Sequence, residues 1–136
     1  MRRTTAIPRN SIRVGKSPTG LGIFATALIE PGMYIEYVGD IIPTDDANKK
    51  KGARYLFELN RKWTIDGTSR KNTARYINHA CDPNCESVQA GMRVFIKAIR
   101  FIAPGEELTY DYGPEYVDEF IKPHGCKCAG CTSMKS

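Results

Sequence analysis

Glycine and proline recur along this chain and separate its short apolar segments from one another. Proline fixes φ and lacks an amide donor, and glycine costs conformational entropy inside a regular element. The chain is therefore predicted to fold into many short elements joined by turns. The interrupting residues are Pro18, Gly20, Gly22, Pro31, Gly32, Pro43, Gly67, Pro83, Gly91, Pro104, Gly105, Gly113 and Pro114.

The segments between these residues favour strands. Residues 33–38, 55–59, 92–99 and 107–112 are rich in β-branched and aromatic side chains with a period near two. Two other segments look helical. Residues 44–51 open on a threonine and two aspartates and close on three lysines, and residues 115–122 could form a turn or two. We predict a mostly β fold with short helices.

Size and charge limit the class of protein. The 136 residues, 41% of them apolar, suffice for one domain. No apolar run is long enough to cross a bilayer, and the basic start of the chain lacks the apolar stretch of a secretory signal. We therefore expect an intracellular protein with no membrane partner. The net charge of +5 suits a nucleic-acid neighbourhood, but an ordinary solvated surface is favoured because the basic residues are not interleaved with aromatic ones.

Five cysteines lie in two short stretches, and their spacing indicates a metal site. Cys126, Cys128 and Cys131 fall within six residues, whereas Cys81 and Cys85 lie far upstream. An odd number of cysteines without an export signal disfavours disulfides. Zinc takes four ligands, so either Cys81 or Cys85 is available as the fourth donor. The alternatives are a reduced thiol tail without metal and a redox-active thiol protein.

Residues 75–85 contain a dense polar cluster. An apolar pair leads directly into the side chains of Asn78, His79 and Cys81. So many polar groups in a small domain must be solvated, bonded to one another or bound to a ligand. By itself, an Asn-His pair is as often a structural turn as a site.

Two further stretches have simple structural interpretations when taken alone. In residues 105–113, strand alternation places Tyr110 and Tyr112 on one face, which is more typical of core packing than of function. Residues 19–25 contain a Gly-x-Gly turn before an apolar strand, where the backbone could approach a ligand closely. An ordinary hairpin turn is the favoured interpretation there.

In this order the stretches closely resemble a SET domain, the fold of the largest class of protein lysine methyltransferases. The resemblance spans roughly residues 12–131. Its most specific part is Asn-His-x-Cys-x-Pro-Asn at residues 78–84 joined to Glu-Leu-Thr-Tyr-Asp-Tyr at residues 107–112. Two departures from the family pattern, Ala80 for serine and Gly67 for alanine, keep small residues and are expected to be benign.

The resemblance implies a β-clip architecture of small twisted sheets. It also implies a C-terminal segment threaded under a preceding loop as a pseudoknot, which general topology rules would not propose. The expected organisation is a basic arm at residues 1–11, a SET domain at residues 12–113 and a post-SET-like zinc-binding tail at residues 114–136. We expect a likeness to the stand-alone SET proteins of viruses and bacteria, because residues 1–11 form a short basic arm and not a cysteine-rich lobe.

A binding site for S-adenosylmethionine, the methyl donor, follows from the same resemblance. The Gly-x-Gly backbone would hold the methionine end of the cofactor, Asn78 would meet its amino group, and His79 would meet its adenine. Tyr55 matches a cofactor-contacting tyrosine of the family. The implied cofactor-binding residues are Thr19, Gly20, Leu21, Gly22, Tyr55, Asn78 and His79.

Three tyrosines and four cysteines complete the implied sites. Tyr37 and Tyr110 would flank a lysine channel, and Tyr112 would lie beside the transferred methyl group. The family has tyrosine or phenylalanine at the position of Tyr110, and tyrosine there implies mono- or dimethylation. A structural Zn²⁺ is implied with Cys81 as the upstream ligand, although the tail has a shorter second gap than most post-SET lobes. The implied zinc ligands are Cys81, Cys126, Cys128 and Cys131.

The sequence thus predicts an S-adenosylmethionine-dependent protein-lysine N-methyltransferase. Its expected substrate is an exposed lysine on a histone or another basic protein tail, with nucleic acid involved at most indirectly. A homodimer is an expected arrangement for so small a domain, and the cytoplasm or the nucleus with its chromatin is the expected location. A catalytically silent zinc-containing binding domain is the alternative, but such a domain has no reason to keep both pockets.

Overall fold

The computed structural model describes residues 5–17, 20–48 and 55–112. The strands of these ranges are β1 (Ile12–Ser17), β2 (Gly20–Ala25), β3 (Tyr34–Tyr37), β4 (Asp40–Pro43), β5 (Leu56–Glu58), β6 (Trp63–Asp66), β7 (Asn78–His79), β8 (Cys85–Ala90), β9 (Arg93–Ala98) and β10 (Thr109–Tyr110). The α-helix α1 spans Thr44–Asn48, and 3-10 helices span Arg9–Ser11 and Thr73–Tyr76. Every element in the described ranges is six residues or shorter, as the frequent glycines and prolines predict.

The described strands form three small sheets. β1 and β2 make an antiparallel hairpin. β4, β6 and β5 make a second antiparallel sheet with β6 in the middle. The largest sheet has the order β3-β9-β8-β10-β7, antiparallel except for β10, which runs parallel to both of its neighbours. The prediction of a mostly β fold of small sheets is confirmed.

The apolar core lies where these sheets meet. Alternation along β9 buries Val94, Ile96 and Ala98, each no more than 2% exposed, because one face of that strand points inward. Ile23 on β2 and Leu108 before β10 are fully buried in the same cluster. The core therefore joins the hairpin to the largest sheet and holds β10 close to β2.

The insertion of β10 between β7 and β8 has the topology of the expected pseudoknot. β7 and β8 follow one another in the chain and are joined by residues 80–84, yet β10 lies between them in the sheet. The connection therefore crosses the line of β10. Asn84, 3% exposed, fastens the crossing: its Nδ2 donates to the Glu107 carbonyl at 2.8 Å, and its Oδ1 accepts from the Thr109 amide at 2.9 Å.

The strand predictions agree with the structure for the four alternating segments, which contain β3, β5, β9 and β10. The predicted helix at residues 44–51 begins at Thr44 and is described to Asn48. The predicted helix at residues 115–122 lies outside the described residues, as does the whole of the tail. None of the described helices has the length and apolar character that a bilayer span requires.

Candidate active site

The side chain of Asn78, at the start of β7, connects three segments of the chain. Its Nδ2 lies 3.0 Å from Ser17 Oγ, 2.9 Å from the Leu21 carbonyl oxygen and 2.7 Å from Glu107 Oε2. A carbonyl and a carboxylate only accept hydrogen bonds, so the amide nitrogen must face them and Oδ1 must point away. Asn78 thus fixes the β1–β2 hairpin beside β7 and directs its own carbonyl oxygen elsewhere.

His79, the next residue, is held as a neutral imidazole. Its side chain is 5% exposed, and the Tyr112 backbone N–H donates to Nδ1 at 3.1 Å. Burial lowers the pKa of His79, and the Asp111 carboxylate, 3.7 Å from Nδ1, opposes this only in part. Because Nδ1 accepts, the ring proton lies on Nε2, which is 3.6 Å from Cys81 Sγ. His79 therefore ties β7 to the chain that leaves β10.

Tyr110 and Tyr112 bring two phenols to the same place. Their ring centroids are 4.8 Å apart, and the Tyr112 ring lies 5.4 Å from the His79 ring. Tyr110 is 7% exposed and Tyr112 is half-buried. The Tyr112 hydroxyl donates to the Ile77 carbonyl oxygen, so the backbone before β7 fixes the direction of this phenol.

Tyr37 and Tyr55 form a second contact pair of predicted site residues. Tyr37, 5% exposed at the end of β3, donates from its hydroxyl to the Tyr55 carbonyl oxygen at 2.9 Å. A Cβ on Gly67 would lie only 2.5 Å from the Tyr37 ring and from Asn72 Nδ2. Tyr37 and Asn72 thus fill the space that a side chain at position 67 would need.

Arg75 is a site residue that the sequence did not single out. Its guanidinium lies over the Tyr55 ring at 4.3 Å and the Tyr76 ring at 5.1 Å, and it donates to the Thr68 carbonyl oxygen. Its Nε is buried and has no hydrogen-bond partner in the part of the chain that the structure describes. A buried donor of this kind favours an acceptor supplied by a ligand.

Glu107 is a second such residue. Its carboxylate contacts Asn78, and a Cβ on Gly22 would lie 2.3 Å from its Oε2. Glu107 and Arg75 both lie within the stretches that carry the family resemblance. The only sequence signal that could have pointed to them is a charged residue next to buried ones in the chain. The partners that give them a role are remote in sequence.

The two described cysteines have different environments. Cys81 is exposed, whereas Cys85 is 1% exposed and burial raises the pKa of its thiol to about 12. Among the described residues there is no cluster of three potential metal ligands. Cys126, Cys128 and Cys131 lie outside the described residues, as does Thr19 of the cofactor-binding prediction.

The described part of the prediction thus falls into two groups. One joins Leu21 of the Gly-x-Gly strand to Asn78, His79, Tyr110 and Tyr112 through the contacts given above. The other joins Tyr37 to Tyr55. Segments far apart in sequence therefore meet at the ends of β7 and β10.

Comparison with known families gives this arrangement a name. The profile described as "SET domain" matches residues 20–113, more than half of the chain. The chain belongs to the SET-domain family. The described residues of the predicted site, from Gly20 to Tyr112, all lie within the matched range, whereas Ser17, which contacts Asn78, lies just before it.

Three curated relatives illustrate the similarity. "Histone-lysine N-methyltransferase trithorax" of Drosophila virilis is 40% identical over 124 residues, covering 82% of this chain and 3% of that protein. "Histone-lysine N-methyltransferase 2D" of Homo sapiens is 35% identical, covering 90% and 2%. "Histone-lysine N-methyltransferase, H3 lysine-4 specific" of Saccharomyces cerevisiae is 41% identical, covering 73% and 10%. The chain thus spans only a small part of these relatives, and its likeness to viral and bacterial SET proteins stays an expectation.

Proposed function

We propose that this SET domain is an S-adenosylmethionine-dependent protein-lysine N-methyltransferase. The observation that carries the proposal is the meeting of Asn78, His79, Tyr110 and Tyr112 at the ends of β7 and β10. The arrangement places the hydrogen-bonding side chains of Asn78 and His79 close to tyrosine rings that are partly shielded from water. The names of the curated relatives agree with the proposal.

The described residues fit the methionine end of the cofactor, which carries an ammonium and a carboxylate. Oδ1 of Asn78 is directed away from its three acceptors and can receive an ammonium N–H. Nε of Arg75, beside the predicted cofactor-contacting Tyr55, has no partner among the described residues and could donate to a carboxylate. Gly22 carries no side chain, and the Glu107 carboxylate and the Asn78 amide fill the position of its missing Cβ, so this backbone lies directly against Asn78.

The cofactor would supply a methyl group on a sulfonium, which is already a good leaving group. The protein therefore has to align a neutral amine with that methyl and exclude water. Tyr112 suits the alignment because its hydroxyl proton is directed to the Ile77 carbonyl, which leaves the phenol oxygen as an acceptor for polarised C–H groups. No strong general base is needed at this position.

The amine must also lose a proton, since lysine has an ordinary pKa of about 10.4. Tyr37 and Tyr110, 5% and 7% exposed, would provide an aromatic and poorly hydrated channel. Such surroundings disfavour the ammonium form and lower the pKa of the lysine. Their burial supports the proposed role of both residues beside the substrate lysine.

The substrate we propose is a lysine on a histone or another basic protein tail. The curated relatives are named as histone-lysine methyltransferases, and one is named as specific for histone H3 lysine 4. A histone substrate would place the protein in the nucleus with chromatin. Nucleic acid would then be a neighbour of the substrate, not a ligand of the site, and a homodimer remains part of the proposal.

We further propose a structural Zn²⁺ held by Cys81, Cys126, Cys128 and Cys131. The thiol of Cys81 is exposed and can reach a metal, whereas Cys85 is buried and burial raises its pKa to about 12, which disfavours the thiolate. Metal analysis of the purified chain tests this choice. Cys81→Ser should lower the zinc content well below one equivalent and Cys85→Ser should not; the reverse pattern would assign the site to Cys85.

The function is tested by mass spectrometry of core histones and a cell lysate incubated with labelled cofactor. Tyr112→Phe should lower kcat more than about 100-fold, since removing one oriented polar group from a transition state costs this much in other enzymes. Calorimetry should show its cofactor Kd within about threefold of the wild type. Asn78→Ala should instead weaken cofactor binding first. If the wild-type chain binds no cofactor and labels no lysine, the proposal is wrong.

A further inference from the structure

The Glu107 carboxylate occupies a fixed position between the Gly-x-Gly strand and Asn78. Its Oε2 is 2.7 Å from Asn78 Nδ2. The ideal Cβ position of Gly22 is 2.3 Å from Oε2 and 3.1 Å from Cδ of the same residue. The carboxylate therefore packs directly against a backbone that carries no side chain.

The backbone of Glu107 is held as well, which anchors the base of this side chain. Glu107 forms a bridge with Phe24 of β2, and the next amide, that of Leu108, donates to the Ile23 carbonyl at 2.8 Å. On the other side, Asn84 Nδ2 donates to the Glu107 carbonyl at 2.8 Å. The hairpin and the 80–84 connection thus hold this residue from both sides.

The position of the Glu107 carboxylate matters because it affects which way the Asn78 side-chain amide is turned. Nδ2 has two hydrogens and faces three acceptors within 3.0 Å. The carboxylate is the closest acceptor, and the charge on it strengthens its hydrogen bond relative to a neutral one. Of the three acceptors, the Glu107 carboxylate therefore does most to keep Nδ2 of Asn78 turned toward the acceptors and Oδ1 turned away from them.

We propose that Glu107 is a positioning residue that orients Asn78 to receive the ammonium of the cofactor. This inference rests on the proposed function. Glu107 acts through Asn78: without the carboxylate, only the Leu21 carbonyl and Ser17 Oγ remain as partners of Nδ2, and the direction of Oδ1 is held less firmly. The negative charge also favours a cationic ligand at this end of the site.

Calorimetric titration with S-adenosylhomocysteine tests the inference in a double-mutant cycle. Glu107→Ala should raise Kd about tenfold, and Glu107→Gln, which keeps an acceptor of the same shape but loses the charge, should raise it by no more than about threefold. In an Asn78→Ala background, Glu107→Ala should change Kd less than about threefold. Glu106→Ala, which removes the neighbouring and exposed carboxylate, is the matched control and should leave Kd unchanged.

Other results would overturn the inference. An unchanged Kd in Glu107→Ala would show that the carboxylate positions nothing, and the full tenfold effect in the Asn78→Ala background would show that Glu107 acts independently of Asn78. A large fall in thermal stability of Glu107→Ala with no rescue of Kd by Glu107→Gln would indicate a purely structural role.

A measurement without cofactor separates this inference from the proposed function. The side-chain amide resonances of Asn78, assigned by their loss in Asn78→Ala, should shift in Glu107→Ala and not in Glu106→Ala. If they do not shift, the contact is wrong whatever the protein does. If they shift but the wild-type chain does not bind S-adenosylhomocysteine, the proposed function is refuted and the positioning role with it, although the contact itself stands.

Discussion

Replacing Gly67 with alanine should destabilise the chain and disturb Tyr37. The added Cβ would lie 2.5 Å from Tyr37 Cε1, 2.7 Å from its Cζ and 2.5 Å from Asn72 Nδ2. Each distance is about 1 Å shorter than ordinary contact between carbon atoms. Neither neighbour can give way easily, because Tyr37 is 5% exposed and Asn72 is fully buried.

The expected magnitude follows from the contacts that would be lost. Overpacking of a core costs about 1–3 kcal/mol. Shifting Asn72 also weakens its bonds to the Gly67 carbonyl and the Val38 amide, and shifting Tyr37 weakens its bond to the Tyr55 carbonyl, at about 1 kcal/mol each. We expect a net loss of about 2–4 kcal/mol, which corresponds to a fall in Tm of roughly 10 °C for a chain of this size.

Gly15→Ala is the matched control, since neither glycine has positive φ. The nearest atom to a Cβ at Gly15 is the end of the exposed Arg13 side chain, which can move aside. Chemical denaturation should show less than about 0.5 kcal/mol of change for this variant. Equal losses in the two variants, or a loss below about 0.5 kcal/mol in Gly67→Ala, would refute the packing argument.

Three further outcomes are expected. Tyr110→Phe should move the products on a peptide substrate toward higher methylation, and abundant trimethyl-lysine from the wild-type chain in a mass-spectrometric time course would contradict this. Asn84→Ala should cost about 2–4 kcal/mol in denaturant unfolding because it leaves the Thr109 amide and a carbonyl unpaired, whereas an undiminished free energy would show that the crossing is held elsewhere. The hydrogen bond from Arg93 lowers the pKa of Glu36, so the stability from this pair is present above the ordinary glutamate pKa and is lost as the pH falls through the folded value. When the pH is lowered from about 5 to about 3, the free energy of unfolding of Glu36→Gln should therefore fall less than that of the wild type. Equal falls in the two proteins would contradict a stabilising role of the Glu36–Arg93 pair.

Strands whose side chains alternate between a buried and an exposed face could be predicted from the sequence alone. Alternation along residues 33–38 and 92–99 located β3 and β9, which pair in the largest sheet. β8 was not predicted because most of its side chains are exposed and its sequence has no apolar alternation. β7 has two residues and forms through its parallel pairing with β10, which no local pattern reveals.

The candidate site shows the same division. The motifs predicted Asn78 and His79 as site residues. In the structure, Asn78 contacts Glu107 and His79 accepts a hydrogen bond from the Tyr112 amide. Arg75 and Glu107 were not identified, because a charged residue gains a role only from partners that folding brings to it. For Glu107 that partner is 29 residues away in the chain.

The position of β10 between two earlier strands has a consequence for biosynthesis. As the chain leaves the ribosome, β7, β8 and the 80–84 connection emerge before the strand that must enter between them. Non-local pairing of this kind is slow, since the entropy of loop closure is lost before the contacts form. A nascent chain stopped before Thr109 would thus expose unpaired strand edges and hold no assembled site. The proposed methyl transfer would require Thr109 and Tyr110 in the sheet, so the insertion of this strand must precede activity.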